Sequence, residues 1–182
     1  MLILGWVTLL AFPIPAYLIL YYNEPLSLSE FLSLDKIELI PIAFGIELGF
    51  VYAILAYVIM NAPFFDSVPI KIDKIVQQMK LKWYDGIFLS LCAGIGEELL
   101  FRVGIQEFLG WFVTSIVFVA IHGYLNPWNW RFSIYGLILL PFIFIISTGM
   151  YVFGIWFSIA AHFMYDAVLF YIIISKNSEN VS

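Results

Sequence analysis

The sequence predicts an all-α integral membrane protein, a helical bundle of about six transmembrane helices. Hydrophobic residues make up 63% of the 182 residues and charged residues only 12%, whereas soluble domains average about 45–50% and about 25%. Apolar runs of about 20 residues, long enough to cross a ~30 Å hydrocarbon layer, alternate with short polar stretches. Because backbone groups in lipid must be hydrogen-bonded within their own segment, these runs are interpreted as helices.

The charge balance of the chain argues against a nucleic-acid partner. Thirteen acidic residues against eight basic ones give a net charge of −5, which excludes the basic surface that nucleic acid requires. The single cysteine, Cys92, excludes an internal disulfide and a cysteine-based metal cluster. The expected surroundings are therefore membrane lipids, without a nucleic-acid partner.

Six segments are predicted to span the membrane. The fourth is shorter than the others, so its ends are the least well defined. A short interfacial helix is expected within 24–38, where Ser27 and Glu30 have the spacing of a capping box. The predicted spans are 2–22, 39–62, 84–109, 111–124, 132–153 and 155–175.

The basic residues predict the orientation of the bundle in the cell membrane. With six spans, Arg131, Lys176 and the lysines of 63–82 lie on one side, and only Lys36 lies on the other. The positive-inside rule then predicts that both termini are cytoplasmic. Segment 63–82 is expected to lie at the interface as a basic amphipathic stretch, with a plain cytoplasmic connector as the alternative. Its lysines are Lys71, Lys74, Lys80 and Lys82.

Ionisable residues are concentrated in the last four predicted spans. Such groups are costly in a bilayer and mark functional sites by default. Both histidines of the chain are among them, together with two adjacent glutamates. The residues are Glu97, Glu98, Arg102, His122, His162 and Asp166.

Helical geometry sorts the charged groups of the third span. Glu98 and Arg102 are four residues apart, about 40° around the helix, so they can form an ion pair on one face. Glu97 points away from that pair. Its partners must then come from other helices, where His122 and His162 are the available imidazoles.

A cluster of this composition suits hydrolysis inside a membrane. A buried glutamate such as Glu97 can take a proton from water, and a histidine can hold the same water. In the sixth span, His162 and Asp166 share a face and can act on the oxyanion of a tetrahedral intermediate. Two histidines and one carboxylate are also the ligand set of a hydrolytic zinc site. The residues alone leave both schemes open, beside a purely structural or proton-relay role.

The ordered motifs resemble those of the CPBP family, the CAAX proteases and bacteriocin-processing enzymes. This family of intramembrane endopeptidases is similar to the type II CAAX prenyl endopeptidases, and its motifs are EExxxR, FxxxH and HxxxN or HxxxD. The resemblance covers about 84–175 and implies a catalytic helical core there, with transmembrane helices and the interfacial segment in 1–83 and a polar tail at 176–182. The matching residues are Glu97-Glu98-xxx-Arg102, Phe118-xxx-His122 and His162-xxx-Asp166.

The resemblance implies a role for each motif residue. Glu97 is the expected base, with His122 as its partner in activating water, while His162 and Asp166 form the oxyanion-stabilising corner. Asp166 stands where the prenyl endopeptidases have asparagine. Since an ionised aspartate cannot donate to an oxyanion, it is expected to be protonated, to orient His162 or to bind a metal. The supporting residues are Glu98, Arg102 and Phe118.

The cofactor and the substrate stay open at the level of sequence. Family members are described both as metalloproteases and as metal-free glutamate proteases, so the cofactor is either none or zinc. A zinc ion would be held by Glu97, His122 and His162. The expected substrate is a membrane-embedded or lipid-anchored peptide, with a prenylated CAAX-type peptide as one option. The alternative function is a non-catalytic membrane immunity or transport-accessory protein that uses the polar cluster for structure or ion binding.

Overall fold

A computed structural model describes residues 2–63, 78–79, 81–126, 128 and 130–179. Within these residues the chain is helical and without strands, which confirms the predicted all-α membrane fold. Five helical stretches are long and apolar enough to cross a membrane. They are Leu2–Asn23, Leu39–Met60, Trp83–Ile121, Ser133–Phe153 and Ile155–Lys176.

The helices begin and end close to the predicted boundaries. A short 3₁₀ turn, Leu34–Lys36, lies before the fourth α-helix, and a π-helical segment, Leu99–Ile105, follows the fifth. The α-helices are α1 Leu2–Ala11, α2 Pro13–Asn23, α3 Leu28–Phe31, α4 Leu39–Met60, α5 Trp83–Glu98, α6 Gln106–Ile121, α7 Trp130–Phe153 and α8 Ile155–Glu179.

The long stretch Trp83–Ile121 contains a sharp reversal at Gly110. This residue has φ 70° and ψ 164°, a region open essentially to glycine alone. In an unbroken helix, the 25 residues from Glu97 to His122 would span roughly 37 Å, yet their side chains lie 3.3 Å apart. The stretch is therefore a helical hairpin whose two arms correspond to the third and fourth predicted spans.

The second arm of this hairpin is short. From Trp111 to Ile121 it extends only about 17 Å, and α7 runs antiparallel beside it, with the rings of Phe112 and Phe144 stacked at 5.5 Å. His122 follows directly after this arm as its C-terminal cap, and its side chain is 32% exposed. This arrangement leaves space beside His122 for a cavity.

The first and fourth helices pack against α5 and α8 through small residues. A Cβ on Gly96 in α5 would collide with the backbone of Thr8, so α1 lies in direct backbone contact with α5. Gly45 and Gly49 in α4 are buried against the backbone of α8 in the same way. The absence of side chains at both positions allows this close approach of the two helices.

The segment between α2 and α4 forms the predicted capping box. Ser27 Oγ accepts a hydrogen bond from the backbone N–H of Glu30, and the Glu30 carboxylate accepts one from the backbone N–H of Ser27 at 2.7 Å. Hydrogen bonds from Ser27 lower the pKa of Glu30, the backbone N–H having the largest effect. The helix that follows, α3, is only one turn long.

Part of the predicted basic interfacial stretch lies outside the described residues. This applies to Lys71, Lys74 and Lys80, so the amphipathic prediction for 63–82 stays a prediction. Lys82 is described and immediately precedes α5.

Candidate active site

Glu97 and His122 meet across the helical hairpin. Oε2 of Glu97 lies 3.3 Å from Nε2 of His122. The other ring nitrogen, Nδ1, is 2.7 Å from the carbonyl oxygen of Phe118; because a carbonyl only accepts, Nδ1 carries a proton and donates it. Oε2 of Glu97 is buried and accepts no hydrogen bond from any described residue. The prediction that Glu97 finds an imidazole outside its own helix is confirmed.

His162 in α8 has a carboxylate at each ring nitrogen. Nδ1 lies 2.8 Å from Oε1 of Glu98, and Nε2 lies 3.5 Å from Oδ2 of Asp166. Both ring nitrogens are therefore placed to donate. The predicted pairing of His162 with Asp166 is confirmed, whereas the contact with Glu98 was not predicted.

Glu98 links His162 to a buried ion pair. Its second oxygen, Oε2, accepts a hydrogen bond from Nε of Arg102 at 2.8 Å, which is the ion pair that the helical spacing predicted. Both side chains are fully buried. Arg102 Nη1 donates to Oγ of Ser147 in α7 at 2.7 Å, and that hydroxyl is 2.8 Å from Oγ of Ser115 in α6. An unbroken chain of hydrogen bonds thus connects four helical segments to His162.

Three members of this network were missed by sequence reasoning. Gln106 is buried and donates through Nε2 to the carbonyl oxygen of Ser147 at 2.9 Å. The available signal was the occurrence of uncharged polar residues within apolar spans, where such side chains commonly hydrogen-bond between helices. The missed residues are Gln106, Ser115 and Ser147.

The local backbone places this network beside Glu97 and His122. Helix α5 ends at Glu98 and continues as the π-helical segment Leu99–Ile105. Such wide turns are frequent at functional sites, because they change the direction of side chains before and after them. Here Arg102, on the wide turn, reaches both Glu98 and Ser147.

Phe118 occupies the space between the two imidazoles. Its ring centroid lies 4.4 Å from that of His122 and 5.8 Å from that of His162. The guanidinium of Arg102 lies 5.1 Å over the same ring, a cation–π distance. Phe118 therefore separates the histidines and covers the buried ion pair, which accounts for an aromatic residue at this motif position.

A cavity of about 300 Å³ brings the predicted site residues together. Its polar lining includes both imidazoles, Glu97 and Asp166. The rest of its wall is mainly apolar and comes from α1, α5, α7 and α8. Lining residues there include Leu4, Leu89, Phe142, Tyr165 and Phe170.

The donor geometry does not fit the three-ligand zinc site, one of the two options that the sequence left open. In the described part of the chain, no three His, Cys, Asp or Glu side chains lie where they could hold one metal ion. Glu97 and His122 form one pair, while both nitrogens of His162 face the carboxylates of Glu98 and Asp166. No step below is derived through a metal.

Apolar spanning helices and a cavity lined by a glutamate, an aspartate and two imidazoles define the class, an integral membrane protein with a polar site within its helical bundle. The sequence model of the family described as type II CAAX prenyl endopeptidase Rce1-like matches residues 79–168. This range contains all three motifs. The resemblance inferred from the motifs is thus confirmed, and this region belongs to the Rce1-like family. The match supports an intramembrane protease function in general terms.

One relative is similar over less than half of its length. The uncharacterized protein YpbD of Bacillus subtilis (strain 168) is 32% identical over 83 residues, which is 45% of this chain and 42% of that protein. No solved structure matches the chain.

Proposed function

We propose that this protein is an intramembrane endopeptidase that hydrolyses a peptide bond with water activated by Glu97 and His122. The observation that carries the proposal is the buried Oε2 of Glu97, which has no hydrogen-bond donor among the described residues and lies 3.3 Å from His122 Nε2. A buried acceptor of this kind is costly unless it is used. A water molecule bound between the two groups would satisfy both.

The proposed reaction begins with that water. Glu97 takes a proton from it, and the resulting hydroxide attacks the carbonyl carbon of the scissile peptide bond. His122 holds the water through Nε2, because its Nδ1 proton is engaged with the Phe118 carbonyl. Collapse of the tetrahedral intermediate breaks the C–N bond, and the proton on Glu97 passes to the leaving amine.

His162 is proposed to stabilise the oxyanion of that intermediate. Glu98 holds it at Nδ1, so the Nε2 edge is the part of the ring directed to the cavity and Asp166. An N–H fixed in this way needs no reorganisation during reaction. Under this proposal Asp166 orients the imidazole instead of donating to the oxyanion, which is one of the roles expected for aspartate at this motif position.

The apolar wall of the cavity supports a hydrophobic or lipid-anchored peptide as the substrate. Leu4, Leu89 and Phe170 lie along it, and apolar pockets with few polar groups bind ligands of matching character. A prenylated CAAX-type peptide is one such substrate. Whether the prenyl group is required is tested by supplying each peptide with and without it.

Catalysis is proposed to proceed without a metal ion, on the grounds of the donor geometry given above. The cell membrane is the proposed location, with both termini in the cytoplasm. Lys82 before α5 and Lys176 at the end of the last span support this orientation under the positive-inside rule.

The experiment is cleavage of a peptide panel by the purified full-length protein in lipid vesicles. Each C-terminal peptide is supplied prenylated and unprenylated, and each is assayed with the wild type and Glu97→Gln. We expect cleavage that disappears in Glu97→Gln while the thermal unfolding midpoint is retained. Cleavage that persists in a folded Glu97→Gln variant would refute the catalytic assignment. The non-catalytic alternative would be supported if the wild type cleaves no peptide in this panel and the role of the protein in cells survives Glu97→Gln.

A further inference from the structure

Glu47 is a carboxylate in the middle of a spanning helix that the proposed reaction does not use. It lies eight residues after Leu39, the first residue of α4, and thirteen before Met60, the last. These separations correspond to about 12 Å and about 20 Å along the helix axis. Glu47 is nevertheless exposed, so at this depth its side chain faces the hydrocarbon layer.

The packing of α4 explains this exposure. Gly45 and Gly49 lie against the backbone of α8, and each is two residues from Glu47, or about 200° around the helix. Glu47 therefore points directly away from the bundle. It shares the outer surface of α4, here called the Glu47 face, with exposed residues at helical spacing: Ala43, Val51, Ile54 and Val58.

A carboxylate at this position is expensive unless it has a partner. Polar groups within the bilayer cost several kcal/mol and are almost always directed to a bundle interior. A glutamate side chain is too short to reach the interface from a depth of about 12 Å. No side chain in the described part of the chain hydrogen-bonds to Glu47 or forms an ion pair with it. Among the described residues, the Glu47 carboxylate is therefore left without a partner.

We propose that the Glu47 face binds a transmembrane helix of another membrane protein that carries a basic side chain at the same depth. Charge complementarity favours this occupant over a second copy of the chain, whose own Glu47 face would offer only another carboxylate. Of the basic residues in the described spans, Arg102 is buried against Glu98, and Lys176 lies at the far end of α8. Neither can reach Glu47 of a neighbouring copy.

The test uses designed helices as probes. Full-length protein with a fluorescent label at its N-terminus is reconstituted in phosphatidylcholine vesicles and titrated with acceptor-labelled leucine-based peptides of about 22 residues. One peptide has a single arginine at its ninth position, which matches the depth of Glu47, and the control has leucine there. Both peptides are titrated against the wild type, Glu47→Leu and Glu47→Gln.

We expect the arginine peptide to bind the wild type about 5- to 30-fold more tightly than the leucine peptide, as interhelical polar pairs in membranes do. The difference should vanish in Glu47→Leu and shrink in Glu47→Gln. Equal affinity of the two peptides for the wild type, or an unchanged preference in Glu47→Leu, would overturn the proposal. Self-association of the wild type that Glu47→Leu abolishes would also overturn it, since a second copy would then be the occupant. Peptide cleavage is independent of this outcome and is expected to be equal in the wild type and Glu47→Leu.

Discussion

The imidazole of His162 is held by the carboxylate of Glu98, with 2.8 Å between Nδ1 and Oε1. The two residues are 64 positions apart in the chain and lie in different helices. The second glutamate of the EE pair is thus a direct hydrogen-bond partner of a site histidine. Through Arg102, the same carboxylate connects that histidine to Ser147 in α7.

Replacing Glu97 by glutamine should remove the base with little change in shape. We expect kcat for peptide cleavage to fall by about 10²- to 10⁴-fold, the usual contribution of a general base. The matched control is Glu107→Gln, which changes an exposed glutamate in the same hairpin and should leave kcat unchanged. A loss of equal size in both variants would mean that the effect is not specific to the base.

Replacing Ser147 by alanine should weaken the chain of hydrogen bonds behind His162. The buried guanidinium of Arg102 loses an acceptor for Nη1 while its Nη2 already lacks one among the described residues, so we expect a loss of about 1–3 kcal/mol in the free energy of unfolding. If the network positions His162, kcat falls while KM is nearly constant, and Ser147→Thr restores part of it.

The matched control for this variant is Ser90→Ala. Ser90 is also fully buried in a spanning helix, but its hydroxyl donates only to the carbonyl of Gly86. Its loss should affect unfolding without a specific effect on kcat. A Ser147→Ala variant that loses stability and keeps its full kcat would contradict the positioning role.

Replacing Gly110 by alanine should strain the turn of the helical hairpin. Apart from the adjoining backbone, a Cβ at this position would meet no atom within 4 Å, so the cost arises from the backbone conformation, about 1–3 kcal/mol. We expect a lower thermal unfolding midpoint and reduced activity, because Glu97 and His122 meet only through this turn. Leu109→Ala, a truncation at the exposed neighbouring residue, is the control and should have a smaller effect. An unchanged midpoint in Gly110→Ala would indicate a different turn.

Two substitutions at Asp166 test whether this residue acts through a hydrogen bond that orients the imidazole of His162. Asparagine preserves the shape and can still hydrogen-bond to Nε2 of His162, which lies 3.5 Å from Oδ2. We expect Asp166→Asn to retain activity within about tenfold of the wild type and Asp166→Ala to lose about 10²-fold or more, comparable with the loss of one oxyanion donor. Steady-state kinetics of both variants checks this. Equal losses in the two would show that the carboxylate itself is required.

Metal removal should not affect cleavage. Since Glu97, His122 and His162 do not converge as a three-ligand set, we expect the same rate before and after dialysis against a strong chelator, and less than one zinc per chain by elemental analysis. Activity that is lost on chelation and restored by zinc would contradict the metal-free mechanism.

Much of the fold could be predicted because the relevant signals are local. Span boundaries follow from hydropathy, and the Glu98–Arg102 and His162–Asp166 pairs follow from helical periodicity, which depends only on residues four apart. The ends of the fourth span were less well defined, because this span is the second arm of the hairpin, which is only about 17 Å long and carries only part of the hydropathy signal of a spanning helix. The glycine between the third and fourth spans proved to be the turn.

The sequence by itself determined the class of protein and the residues available for chemistry. It also determined which of these residues share a face where they lie in the same helix. Only the tertiary structure decided which groups meet between helices: Glu97 with His122 across the hairpin, Glu98 with His162, and Arg102 with Ser147. It also placed Glu47 on the outer surface of α4, a position that hydropathy alone does not reveal. The reason is physical, since hydropathy and periodicity act along one helix, whereas these contacts depend on how helices pack against one another in three dimensions.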